Sequence, residues 1–157
     1  MFKPPLPVPE TGLIQVFLGG SIDMGLAENW QAVVAERLGD LEVAFLNPRR
    51  DNWDSGWVQD ISNPEFRHQV RWELDSLERA DLVLFHLAPT GPAPVTLLEL
   101  GLHARTPELC IVSCPPGYWR RGNVQVVCDR FGITLVDGLD GLVTEARSRI
   151  ASSSVGR

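Results

Sequence analysis

Along the chain, short unbroken apolar runs alternate with segments whose apolar residues recur every three or four positions. The runs over 13–18, 41–46, 82–87, 109–113 and 133–136 read as strands, covered on both faces because no polar alternation interrupts them. The periodic segments over 28–38, 64–79, 96–105, 123–131 and 138–150 read as helices. Helix 64–79 has the clearest start, with Asn63 as N-cap and Pro64 at the first helical position. Its apolar stripe is Phe66, Val70, Leu74 and Leu77. Residues 1–12, with Pro4, Pro5, Pro7 and Pro9, predict an extended arm, 49–63 a polar loop, and 151–157 a frayed tail. Strands alternating with helices predict one doubly wound α/β domain over 13–150. It has a parallel sheet of about five strands and helices on both faces.

In such folds ligands sit beyond the carboxyl ends of the strands, which here are residues 19–22, 47–54, 86–95 and 114–123. Glu99 stands out because leucines flank it in Leu97-Leu98-Glu99-Leu100. A carboxylate in that setting is paired, caps a helix, or is used in chemistry. Thr96-Leu97-Leu98-Glu99 matches a capping box, in which the glutamate would satisfy the amide of the cap residue. Its position just after the third strand also suits a nucleophile. Glu73 falls roughly 60° from the centre of its helix's stripe, at the border of the core.

Gly19-Gly20-Ser21 joins the first strand to a helix and is either an anion- or sugar-cradling turn or simply a tight one. The third glycine of a dinucleotide fingerprint is missing, and no acidic residue ends the second strand. His86 ends its strand at the ligand edge, and the three histidines show no metal-ligand spacing. In the long loop, Trp53 and Trp57 would overhang a site and stack on a heterocycle or plug the loop to the core. Asn47, Arg49, Arg50, Asp51 and Asp54 offer polar contacts beside them.

A chain of 157 residues with a net charge of −6 argues for one domain. That charge also argues against a nucleic-acid polymer or an anionic membrane as main partner. No apolar run approaches the roughly 20 residues of a membrane span. Cys110, Cys114 and Cys128 form an odd set without a zinc pattern and read as small core residues in a reducing cytoplasm.

Three stretches together resemble the nucleoside 2-deoxyribosyltransferase family and its relatives that hydrolyse deoxynucleoside monophosphates. They are Val16-Phe17-Leu18-Gly19-Gly20-Ser21-Ile22, Trp72-Glu73-Leu74 running into Ala80-Asp81-Leu82-Val83, and Glu99-Leu100-Gly101-Leu102-His103-Ala104. The resemblance, over about 14–127, implies a flavodoxin-like fold and Glu99 as the nucleophile that forms a 2-deoxyribosyl ester. It implies Glu73 as an acidic group near sugar and base, and Gly20 and Ser21 as the turn beside the sugar or its 5′ substituent, a 5′-phosphate in the monophosphate hydrolases. Asn123 would be donated to a neighbouring subunit of a homo-oligomer. Nucleosides, nucleobases or nucleotides would be the ligands, and no metal or organic cofactor would be required. Phe17 stands where many members have a tyrosine, and Ala93 where many have a base-holding aspartate. Base recognition would then pass to Asn47, Asp51, Asp54 or Trp53. The implied activity is transfer of 2-deoxyribose between bases. Its alternatives are hydrolysis of deoxynucleoside monophosphates, NAD glycohydrolysis, and a non-catalytic nucleotide-binding module.

Overall fold

A computed structural model describes residues 1–22, 28–51 and 56–154. Five strands, β1 (Ile14–Gly20), β2 (Val43–Leu46), β3 (Leu82–His86), β4 (Cys110–Ser113) and β5 (Thr134–Val136), pair in the order β2-β1-β3-β4-β5. All pairings are parallel, with Phe17 opposite both Leu46 and Val83 and Gly20 opposite His86. This is the flavodoxin-like order, and its strand direction of travel reverses beside β1 and β3.

Five helices cover the sheet: α1 (Trp30–Arg37), α2 (Pro64–Arg79), α3 (Pro94–His103), α4 (Arg121–Phe131) and α5 (Leu139–Ser154). Alternate residues of each strand face opposite sides, so the sheet divides the core in two. Phe17, Val83 and Phe85 pack with Trp72 and Leu77 of α2, Leu100 of α3 and Val124 of α4. Val16, Leu18 and Leu84 pack with Trp30 and Val34 of α1 and Leu142 and Ala146 of α5.

Helix α2 starts and stops where its local signals place it, with the Asn63 side chain accepting from the amides of Glu65 and Phe66. Its buried face differs from the stripe read in the sequence. Gln69, Trp72, Ser76 and Leu77 are buried, whereas Leu74 is exposed and Phe66 and Val70 are half-buried. The helix is turned by roughly a quarter turn, taking 100° per residue. Burying the Trp72 indole outweighs burying Leu74, because the ring covers more area and its N–H reaches the Leu6 carbonyl at 2.8 Å. The same rotation carries Glu73 inward.

That carbonyl belongs to the N-terminal arm, which is docked. Phe2 bridges to the outer edge of β2, with its N–H on the Phe45 carbonyl and its own carbonyl accepting from Asn47. At the other end, α5 continues through Ser154, so residues 151–154, expected to be frayed, are helical, and 155–157 lie outside the described residues.

Candidate active site

The decisive local fact is where α3 begins. Pro94, not Thr96, opens the helix, and its N-cap is Ala93 with φ +43° and no side-chain capping bond. Proline suits the first helical position because the missing N–H has no helical partner there. Thr96 therefore lies inside the first turn and Glu99 in the second, and the capping box read in the sequence does not form. The loop before the helix is pinned by residues distant in sequence: the Tyr118 hydroxyl and the Trp119 indole both donate to the Pro92 carbonyl, at 2.7 and 3.2 Å.

Released from capping, Glu99 is 7% exposed and accepts no hydrogen bond among the described residues. Burial, and next the charge of Glu73, push its carboxyl up to about 8. Glu73, on the inward-turned face of α2, is raised by burial to about 7, with a hydrogen bond from Gln69 pulling the other way. Glu99 is buried and Glu73 half-buried. Two carboxyls that feel each other do not both ionise easily, so near neutrality the pair retains a proton.

Phe17 of β1 is fully buried on this same side of the sheet, and β1 packs against both α2 and α3. Gly19 follows on that side. A Cβ there would come to 3.0 Å from the Phe85 ring and 3.1 Å from that of Phe17. Gly20 is more constrained, since a Cβ would meet the His86 carbonyl at 2.5 Å and the Trp30 ring at 2.6 Å. The polar groups of Ser21 are engaged internally. Its amide donates to the His86 carbonyl, its hydroxyl accepts from the Ala88 amide, and its carbonyl accepts from the Trp30 indole. The glycine turn thus ties β1 to β3.

The other sequence-selected residues do not converge on the two acids through any described contact. His86 lies on the opposite side of the sheet, with Nδ1 3.0 Å from the Ser113 hydroxyl and its ring packed against Trp30. Burial lowers its pKa to about 4, so it is neutral at pH 7. Asn47 is buried, accepts from the Arg49 amide and donates to the Met1 sulfur. Arg49 donates to the Glu28 carbonyl, and exposed Asp51 pairs with Lys3. Arg50 lies over the Trp57 ring at 4.7 Å and 3.6 Å from Glu65. Asn123 is exposed in the first turn of α4. Trp53 and Asp54 lie outside the described residues.

Gln69 is the residue that sequence reasoning passed over. Its Nε2 donates both to the Pro48 carbonyl at 3.0 Å and to Glu73 Oε1 at 2.8 Å. The signal was its spacing, four residues before Glu73 on one helix. Among the described residues no cluster of three His, Cys, Asp or Glu side chains is arranged to hold a metal. Nor is any described helix long and apolar enough to cross a membrane.

Residues 13–118, more than half of the chain and including both acids, match the family described as nucleoside 2-deoxyribosyltransferase like. The chain belongs to that family. A crystal structure of a conserved protein from Enterococcus faecalis V583 shares the fold, with a TM-score of 0.61 at 12% identity, covering 87% of this chain and 99% of that one. No curated protein matches the chain. The segment shared with the nucleoside 2-deoxyribosyltransferase-like family ends at Tyr118, so Asn123 lies beyond it.

Proposed function

We propose that the protein breaks the N-glycosidic bond of 2-deoxynucleosides and passes the sugar to a second base, with Glu99 as nucleophile and Glu73 as proton donor. The observation that carries this reading is the pair of acids, half-buried Glu73 on α2 and buried Glu99 on α3, of which Glu99 accepts no hydrogen bond among the described residues. Family membership supplies the substrate class.

Glycosidic cleavage passes through an oxocarbenium-like sugar, whose positive charge a nearby carboxylate stabilises and then captures. A Glu99 oxygen forms a bond to C1′ as the C1′–N bond breaks, and that electron pair leaves on the base nitrogen. Because Glu99 holds its proton more firmly than Glu73 does, the reacting enzyme is the minor form with Glu99 ionised and the proton on Glu73. That proton goes from Glu73 to the departing base. The resulting 2-deoxyribosyl ester is opened by the nitrogen of an acceptor base, which returns a proton to Glu73. A 2-deoxy sugar favours the route, because no electron-withdrawing 2′-hydroxyl opposes the developing cation.

Glu73 suits the donor role because an acid titrating near 7 both holds and releases a proton at neutral pH. It also compensates for Ala93, which cannot protonate a base. That same alanine favours a second reading, hydrolysis. A base-holding carboxylate is absent, so water competes better for the ester. The Ser21 bonds give no added support to a 5′-phosphate cradle.

Incubating the protein with mixed deoxynucleosides and free bases, and reading products by chromatography, tests the proposal. New nucleosides mean transfer, whereas free base with free sugar means hydrolysis. Deoxynucleoside monophosphates run in parallel show whether a phosphate is required, and NAD reports nicotinamide release. Intact-mass detection of a deoxyribosyl adduct lost in Glu99→Gln supports the ester. A thermal shift with nucleotide but no bond cleavage in any arm would make the protein a binding module.

A further inference from the structure

We infer that Gln69 is a positioning residue for this chemistry: its side-chain amide aims the Glu73 carboxylate and ties it to the loop that follows β2. The inference rests on the reading of Glu73 as proton donor.

Gln69 is 3% exposed, one helical turn before Glu73 on the buried face of α2. Its Nε2 bridges two acceptors, the Pro48 carbonyl and Glu73 Oε1. Those acceptors settle the amide's orientation, since turning it over would set Oε1 against both of them. The consequence is that Oε1 is sealed without a hydrogen-bond partner. Buried polar atoms are nearly always paired, so one left unpaired points to a demand elsewhere in the same group. Here the demand is the N–H that Glu73 receives.

The bond does two things for a proton donor. It removes the rotational freedom of a carboxyl that must meet a base in one direction. It also favours the ionised form, because a hydrogen bond to a carboxylate is stronger than one to its neutral acid. Without it, burial alone would hold the proton on Glu73 more firmly. The Pro48 bond adds a link to Asn47, Arg49 and Arg50, so movement of that loop reaches Glu73 through a single side chain.

Of the charged groups on surrounding elements, Glu99 on α3 feels the charge of Glu73. Arg49 on the loop donates to the Glu28 carbonyl, Arg50 lies against Trp57 and Glu65, and Lys3 of the arm pairs with Asp51. On α2 itself Arg71, Asp75 and Glu78 are exposed, and β1 presents the apolar Phe17.

The test compares the wild-type protein with Gln69→Leu and with Gln69→Met, whose unbranched chain packs more easily if leucine prevents folding. Carbon-13 NMR of labelled glutamate carboxyls follows the Glu73 midpoint, assigned by its loss in Glu73→Gln, alongside steady-state kinetics. The expected result is a Glu73 midpoint higher by about half a pH unit or more. With it, kcat should fall about tenfold while KM changes little. A role confined to tethering Pro48 would lower the melting temperature and leave the Glu73 midpoint where it was. An unmoved midpoint in a folded variant therefore overturns the inference while wild-type turnover stands. If the wild type itself turns over no deoxynucleoside or monophosphate, the catalytic reading falls instead.

Discussion

On the α1/α5 side of the sheet, the polar groups at the carboxyl edge bond one another. His86 meets the Ser113 hydroxyl, and the Trp30 indole donates to Ser21, whose amide donates back to the His86 carbonyl. On the α2/α3 side two helices carry mutually repelling acids, one of them without a hydrogen bond among the described residues. Both sides pack polar atoms against the same sheet. Mutual satisfaction suits a structural network, whereas a carboxyl without a hydrogen bond beside a second protonatable one is what the proposed reaction would use.

The sharpest way to break this comparison is Glu99→Gln. Turnover should fall by roughly 10³-fold or more, as for removal of a covalent nucleophile, while the melting temperature at pH 8 holds or rises because a buried charge is gone. Near-normal rates would return Glu99 to the structural class.

Next in size is the pH dependence of stability, which should have opposite limbs on the two sides. The folded pKa values of Glu73 and Glu99 lie above 4.5, so the fold prefers their neutral forms. Stability should be full below pH 4.5 and be lost as pH rises through 7 to 8, by about 3 kcal/mol for Glu73. The folded pKa of His86 lies below 6.5, so its neutral form is preferred and stability should be lost as pH falls from 6.5 towards 4. Urea melts from pH 4 to 9 check both. Glu73→Gln with Glu99→Gln should flatten the alkaline limb alone. His86→Gln should reduce the acid limb alone, leaving the part that comes from His103, whose pKa burial also lowers.

His86 also offers a direct contrast with Glu99. His86→Leu should leave the Ser113 hydroxyl unpaired and cost about 1–3 kcal/mol. In the folded fraction, turnover should change less than about threefold, below 1 kcal/mol of barrier. Collapse of activity at full folding would move His86 into the reaction.

The smallest effect concerns the turn that delivers Glu99. Ala93 holds a left-handed φ of +43° that an alanine disfavours. Ala93→Gly should therefore gain up to about 1 kcal/mol, net of the added freedom of its unfolded chain. A loss in urea melts would mean that the Ala93 methyl matters more to packing than the backbone does.

Much of this was legible in the chain. The bounds of α2 follow from Asn63 and Pro64 because capping is decided within a few residues. Helix α3 was harder, since Thr96-Leu97-Leu98-Glu99 imitates a cap. Pro94 competes for the start, and distant Tyr118 and Trp119 anchor the carbonyl just before it. His86 and Glu99 were both read from the sequence as lying near the carboxyl edge of the sheet. Their separation by the sheet was not visible, because alternation along a strand does not reveal which helix covers which side.

The sequence by itself determined the order of strands and helices, the parallel sheet, and the two acids worth watching. Periodicity and capping are local properties of neighbouring residues. Only the tertiary structure decided that Glu73 turns inward, that Glu99 has no cap to serve, and that the charge of Glu73 reaches Glu99. Those outcomes depend on Trp72 reaching the arm at Leu6 and on Pro92 being held from beyond β4, contacts between segments far apart in the chain.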